Sequence, residues 1–179
     1  MNLENSINLF GEEQYGFKLI GFFLGILVLG ITCFIDDSKG IPSWAKLIAQ
    51  VVAACIVVAF GLRIENINLP FVDNKIWFND WFSYILTVGW IIGITNAINL
   101  IDGLDGLSSG ITLISCISLL IIFTLNSSPL IAILLITALA GAIVGFLPFN
   151  FNPARTFIGD VGSNFLGFSL AIISILRCC

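Results

Sequence analysis

Histidine is absent from the sequence, basic runs are absent, and charge of either sign is scarce. Only 10% of the residues are charged, against roughly 25% in an ordinary globular protein. So little polar surface cannot face water on all sides. The seven Lys and Arg are scattered, which argues against nucleic acid as a partner, because phosphate binding needs clustered cations. The five cysteines, Cys33, Cys55, Cys116, Cys178 and Cys179, have no histidine to join them in a zinc site. Three of them sit inside apolar runs and read as small packing residues. The first fifteen residues carry Glu4, Glu12 and Glu13 but no Lys or Arg. They lack the basic start of a secretory leader, so none is expected.

What the sequence has in excess is long apolar runs. Hydrophobic residues make up 58% of the chain and the mean hydropathy is +1.07. Crossing the hydrocarbon takes about 20 apolar residues as helix. Six candidate spans are read, at about 17–35, 44–62, 81–98, 107–125, 130–147 and 163–176. Pro42 stands just ahead of the second, and Ser127-Ser128-Pro129 opens the fifth, which should end before Pro148. The runs lack the polar alternation of a transmembrane barrel. The expected fold is therefore all-α and integral to the membrane, a single domain over residues 1–179. The longest link, 63–80, has alternating apolar residues around Asp73-Asn74, which predicts a small β-hairpin in an outer loop.

Parity then groups the acidic residues. Each span reverses the chain, so the links after spans one, three and five share one side of the bilayer. Five of the seven aspartates lie there: Asp36 and Asp37, Asp102 and Asp105, and Asp160. Asp73 and Asp80 lie on the other side with Glu65. Basic residues divide evenly, so the positive-inside rule does not orient the chain.

Three motifs carry the chemistry. Asp36-Asp37 ends the first apolar run, where, taken alone, a wet helix end is the simpler explanation of the pair. Asn96, Asn99 and Asp102 recur every three residues and share one face if the helix continues. Gly103 and Gly106 follow, and Asp105 can serve either the site or the cap of the next helix. The third motif runs from Phe149 to Ser163. It supplies Asn150, Asn152, Arg155 and an Asp160 flanked by Gly159 and Gly162, just ahead of a helix whose free N–H groups suit an anion. An ordinary turn with a cap is the alternative there. Five carboxylates held close would raise one another's pKa. A hard divalent cation such as Mg²⁺ relieves that conflict and favours phosphate oxygens. Metal-assisted phosphoryl chemistry at a membrane surface follows, with no substrate named.

At these motifs the sequence resembles the polyprenyl-phosphate N-acetylhexosamine-1-phosphate transferases of glycosyltransferase family 4. The family's acidic pair stands as Asp36-Asp37. Its Asn-rich DGLDG stretch runs from Asn96 to Gly106, and its N-P-A-x-x-F-x-G-D-x-G-S stretch from Asn152 to Ser163. The resemblance implies that a prenyl phosphate attacks the sugar-linked phosphorus of a UDP-N-acetylhexosamine and releases UMP, at the cytoplasmic face of the cell membrane. It implies Mg²⁺ on Asp160 with Asn99 as a second ligand. Asp36 or Asp37 would act on the prenyl phosphate. Gly103, Leu104, Asp105 and Phe157 would line the uridine site, with Asp102 in the catalytic set and Asn96 and Asn150 close to the substrate. The prenyl phosphate is already ionised near neutral pH, with a second pKa of about 6, so a metal role for the carboxylates is favoured over a base role.

Family members usually have ten or eleven spans and a His-rich cytoplasmic loop, neither of which is matched here. The chain is thus expected to be the middle part of a larger fold. Its partners would be the nucleotide sugar, the prenyl phosphate and the bilayer, with a homodimer left open. The competing reading is a non-catalytic membrane module that needs a complementing chain. An intramembrane aspartyl protease fits poorly, because Phe157 takes the place of the first glycine in its Gly-x-Gly-Asp pattern.

Overall fold

The computed structural model describes residues 13–67, 76–126 and 128–176. Six helices and one small sheet make up the fold: α1 (Glu13–Lys39), α2 (Ser43–Ala59), β1 (Asn66–Ile67), β2 (Ile76–Trp77), α3 (Asp80–Ile101), α4 (Leu107–Leu125), α5 (Leu130–Asn150) and α6 (Gly159–Ile175). The strands pair antiparallel, Asn66 opposite Trp77 and Ile67 opposite Ile76. They are the arms of the expected hairpin; its Asp73-Asn74 turn lies outside the described residues, as do Ser127 and Cys178-Cys179.

Four helices, α1, α3, α4 and α5, are long and apolar enough to cross a membrane. Helices α2 and α6 are shorter, at 17 residues each, which is the lower end of what a span needs. The chain is a multi-pass membrane protein. Its outward faces carry large apolar side chains such as Phe17, Phe23, Ile85, Ile114 and Val144, the surface expected against lipid.

Helix α6 is the centre. From Ser163 to Leu176 nearly every side chain is buried, and the helix packs against α3 most closely, then α1, α4 and α5. Gly167 permits the tightest of these contacts: a Cβ there would lie 2.7 Å from Thr95 Cα. Three buried threonine hydroxyls find partners one turn back. Thr87, Thr95 and Thr112 donate to the carbonyls of Ser83, Ile91 and Ser108 four residues back, so these polar groups are satisfied where water is scarce. Thr87 Oγ1 also accepts from Ile64 N, and Ser83 Oγ donates to Ile64 O. These bonds pin the link after α2 to the start of α3.

Helices α1, α3, α5 and α6 overrun the expected spans, whereas α4 keeps the expected bounds and α2 stops at Ala59, short of the expected Leu62. α1 continues past Asp36-Asp37, α3 reaches Ile101, and α6 begins at Gly159. α5 corrects the expected stop before Pro148: it runs through that proline to Asn150. Proline deletes one ladder bond, and so near the end the helix closes around it, with Phe151 N bonded to Leu147 O. These overruns carry the acidic and amide side chains into position.

Candidate functional site

The ends of α1, α3, α5 and the starts of α2, α4 and α6 form one polar end of the bundle. Its centre is a cleft of about 240 Å³ lined by Asp102, Gly103, Leu104, Asp105, Asn150, Phe157, Ile158, Gly159 and Asp160. Two separated motifs thus meet in one hollow. A second hollow of about 510 Å³ lies on the other side of the Gly103–Asp105 turn, against Phe151 and Asn152.

Local chemistry shapes the turn. Asp102 follows the last residue of α3 and accepts a hydrogen bond from Ser108 Oγ on α4. Burial pushes the Asp102 carboxyl above its usual range; the Ser108 hydroxyl works against this, and the nearby Asp160 charge adds to it. Gly106 enters α4 with φ +74°, and a Cβ there would also meet Phe151 at 3.4 Å. Only glycine adopts that conformation freely. Asp105 does not cap α4. Its Oδ2 accepts from Ala154 N at 3.1 Å, which ties the second motif to the third. Gly159, at φ +65°, turns the chain so that Asp160 sits in the first turn of α6, where the helix dipole favours a carboxylate.

Asn150 locks the third motif in place. Its Oδ1 accepts from Ser109 Oγ at 2.8 Å and its Nδ2 donates to Thr156 O at 3.0 Å. Leu104 and Phe157 stand at the rim, 69% and 74% exposed. Large apolar side chains left open at a polar cleft suit the flat face of a ligand ring.

The other predicted residues sit outside this lining. Asp36 lies behind it. Its Oδ1 accepts from Ile41 N at 2.7 Å, and its Oδ2 pairs with Lys46 Nζ, which also contacts Asp160 Oδ2 at 2.5 Å. The Asp37 side chain is exposed and makes no hydrogen bond or ion pair among the described residues. Asn99 Oδ1 accepts from Ser163 Oγ at 2.9 Å, one turn along α6 from Asp160. Asn96 turns away from the cleft. Its Nδ2 donates to Gln50 Oε1 at 2.7 Å and to Ile92 O. Gln50 in turn donates to Asn164 Oδ1 at 2.9 Å, and Asn164 Nδ2 to Asp160 O at 2.7 Å. This amide chain joins α2, α3 and α6 beneath the cleft.

Lys46, Gln50, Ser108, Ser109 and Asn164 were not singled out from sequence. Gln50 and Asn164 gave a signal, each being an amide inside an apolar run. The amide of Asn164 lies just after the acidic motif; that of Gln50 is one helical turn from Lys46.

Residues 19–177 match the Glycosyl transferase family 4. The chain belongs to that family. Among the curated relatives of this family 4 chain is a probable undecaprenyl-phosphate N-acetylglucosaminyl 1-phosphate transferase of Bacillus subtilis (strain 168), 40% identical over 157 residues, covering 88% of this chain and 42% of the relative. A phospho-N-acetylmuramoyl-pentapeptide-transferase of Listeria monocytogenes is 37% identical over 165 residues, covering 86% and 50%. One of the same description from Limosilactobacillus reuteri is 37% identical over 150 residues, covering 82% and 45%. The chain spans about half the length of the curated relatives it matches.

Proposed function

We propose that the cleft belongs to an enzyme that transfers N-acetylhexosamine-1-phosphate from a UDP-sugar to a polyprenyl phosphate, for the assembly of cell-envelope glycans. One observation carries the reading: Asp102, Asp105 and Asp160, which come from two motifs far apart in sequence, line one cleft at the polar end of an apolar bundle. The names of the relatives support a phospho-N-acetylhexosamine group and an undecaprenyl phosphate, and the UDP donor follows from the resemblance at the three motifs. We place this end at the cytoplasmic face, where nucleotide sugars are found.

The donor set suits a hard divalent cation. Three carboxylates line the cleft, and the ammonium of Lys46 already lies between Asp36 and Asp160, so the local field favours positive charge. Among the described residues no three acidic or thiol side chains converge as a finished ligand cluster. Asp160 would hold Mg²⁺, with Asn99 as second ligand through the free lone pair of its Oδ1. The ion would neutralise charge on the diphosphate and leaving group.

The rest falls to the chain's own residues. Leu104 and Phe157 hold the uracil ring at the rim, and Gly103 and Asp105 shape the turn below it. Asn150 fixes the floor and Asn96 braces α3 against α2. Asp36 or Asp37, both in the last turn of α1, would act on the prenyl phosphate. A phosphate oxygen forms a bond to the sugar-linked phosphorus. The bond from that phosphorus to the bridging oxygen breaks, and UMP leaves with the electron pair. Asp102 stays close to the reacting diphosphate.

Membranes containing the chain, supplied with Mg²⁺, UDP-N-acetylhexosamine and undecaprenyl phosphate, should exchange labelled UMP into the nucleotide sugar. Asp160→Asn should lower that exchange by at least about 100-fold, the scale of removing one charge-stabilising group, while remaining inserted. The half-length coverage supports a second reading, in which the chain is a module that acts only with a complementing chain. Exchange that appears only when the remaining spans are co-expressed would establish that reading. Absence of exchange in both settings would end the first.

A further inference from the structure

Lys46 occupies a position that the proposed cation chemistry must account for. Its ammonium contacts Asp36 Oδ2 and Asp160 Oδ2 together. The same Asp160 oxygen cannot receive this ammonium at 2.5 Å and a divalent cation without bringing two positive centres into near contact. We propose that Lys46 is an internal counter-ion that competes with the divalent cation for Asp160: binding of the cation displaces the Lys46 ammonium from Asp160 and leaves it on Asp36. This inference rests on the cation reading given above.

The geometry supports exchange on one side only. The Asp160 side chain is 40% exposed, whereas that of Asp36 is 9% exposed. A cation can therefore reach Asp160 from the cleft, while the Lys46–Asp36 pair stays shielded. The stem of Lys46 is not free to leave. Gln50 lies one turn along α2 and is bonded to Asn96 on α3 and Asn164 on α6, so the backbone beneath Lys46 is fixed and only the tip of the side chain moves. Asp160 is held too, since its carbonyl accepts from Asn164 Nδ2 at 2.7 Å. Displacement leaves the ammonium on Asp36, behind the cleft lining.

Mn²⁺ binding to the full chain in detergent, measured by electron paramagnetic resonance without any sugar substrate, tests this. Lys46→Met removes the competitor and should bind Mn²⁺ at least about tenfold more tightly than the unaltered chain. Lys46→Gln should do the same, and stands in if the methionine variant loses helicity. Lys46→Arg, which keeps the charge, should show no gain. Lys39→Met, on the same end of the bundle but without an ion pair among the described residues, should also bind as the unaltered chain does. Equal or weaker Mn²⁺ binding by both neutral Lys46 variants overturns the competition. No Mn²⁺ binding by any variant, with Asp160→Asn indistinguishable from them, overturns the cation reading itself and the competition with it.

Discussion

Burial of Asp102 at the end of α3 favours the neutral form of its carboxyl, and Ser108 is the neighbour that opposes this. The consequence for stability has a definite sign. A carboxyl whose pKa in the fold lies above its unfolded value of 3.8 binds its proton more tightly when folded. Its contribution is therefore full below pH 3.8 and is lost as pH rises through the folded pKa, the reverse of a salt-bridged aspartate. In a chelating buffer, the thermal midpoint of the unaltered chain should fall relative to that of Asp102→Asn as pH rises through this window. Parallel midpoints at all pH values would remove the burial argument. Ser108→Ala should widen the difference, because it deletes the donor that favours the carboxylate. The aspartates and glycines of this turn were legible in sequence because such residues are out of place beside apolar runs. Lys46 was not: a lone lysine at the start of an apolar helix reads as an interfacial charge, and its two partners lie 10 and 114 residues away. The task of Asp105 was legible only as a choice between cap and site, and a long-range bond to Ala154 N decides against the cap.

Among the elements, α6 shows what an apolar run conceals. Its length and hydropathy resemble those of α2, yet α6 is enclosed by protein, whereas α2 keeps Trp44, Leu47 and Val51 outward. Hydropathy measures transfer out of water and does not distinguish lipid from neighbouring helix. Gly167 reveals the difference in packing. Gly167→Ala would place a methyl 2.7 Å from the backbone of Thr95. Neither backbone can swing aside like a side-chain tip, so α3 and α6 must part. A cost of about 1–3 kcal/mol is expected, read as a lower midpoint in detergent unfolding, while Gly141→Ala, which meets nothing within 4 Å, should cost less than about 0.5 kcal/mol. The existence of six helices was readable because each apolar run is long and interrupted by polar links. The ends of α1, α3, α5 and α6 were not, because backbone hydrogen bonds continue for about a turn after the apolar residues stop. Those extra turns hold Asp36, Asn99 and Asp160.

For the molecule as a whole, the decisive property is that its two ends differ. One end gathers the cleft, the Lys46 pair and the amide chain. The other holds the strand pair, the Arg63–Asp80 and Arg63–Glu65 ion pairs, and the exposed Trp77 and Trp81. Tryptophan is enriched where hydrocarbon meets water, so these side chains suit the opposite interface. Parity predicted this division from the order of spans alone, and it depends on every helix crossing, the two 17-residue helices included. If α2 only dipped into the bilayer and returned, the strand pair would share a side with Asp36. Single cysteines in a background free of native thiols can decide between these arrangements. Lys39→Cys lies at the end of α1 and Asn152→Cys in the link before α6, both exposed; Ile76→Cys lies on the strand pair, also exposed. In sealed vesicles of one orientation, a membrane-impermeant maleimide should label the first two together and spare the third. With the vesicles inverted, it should label only the third. Labelling of Lys39→Cys and Ile76→Cys from one side, with Asn152→Cys labelled only from the other, would mean that α2 does not cross, and it would separate Asp36 from Asp160 and dismantle the site.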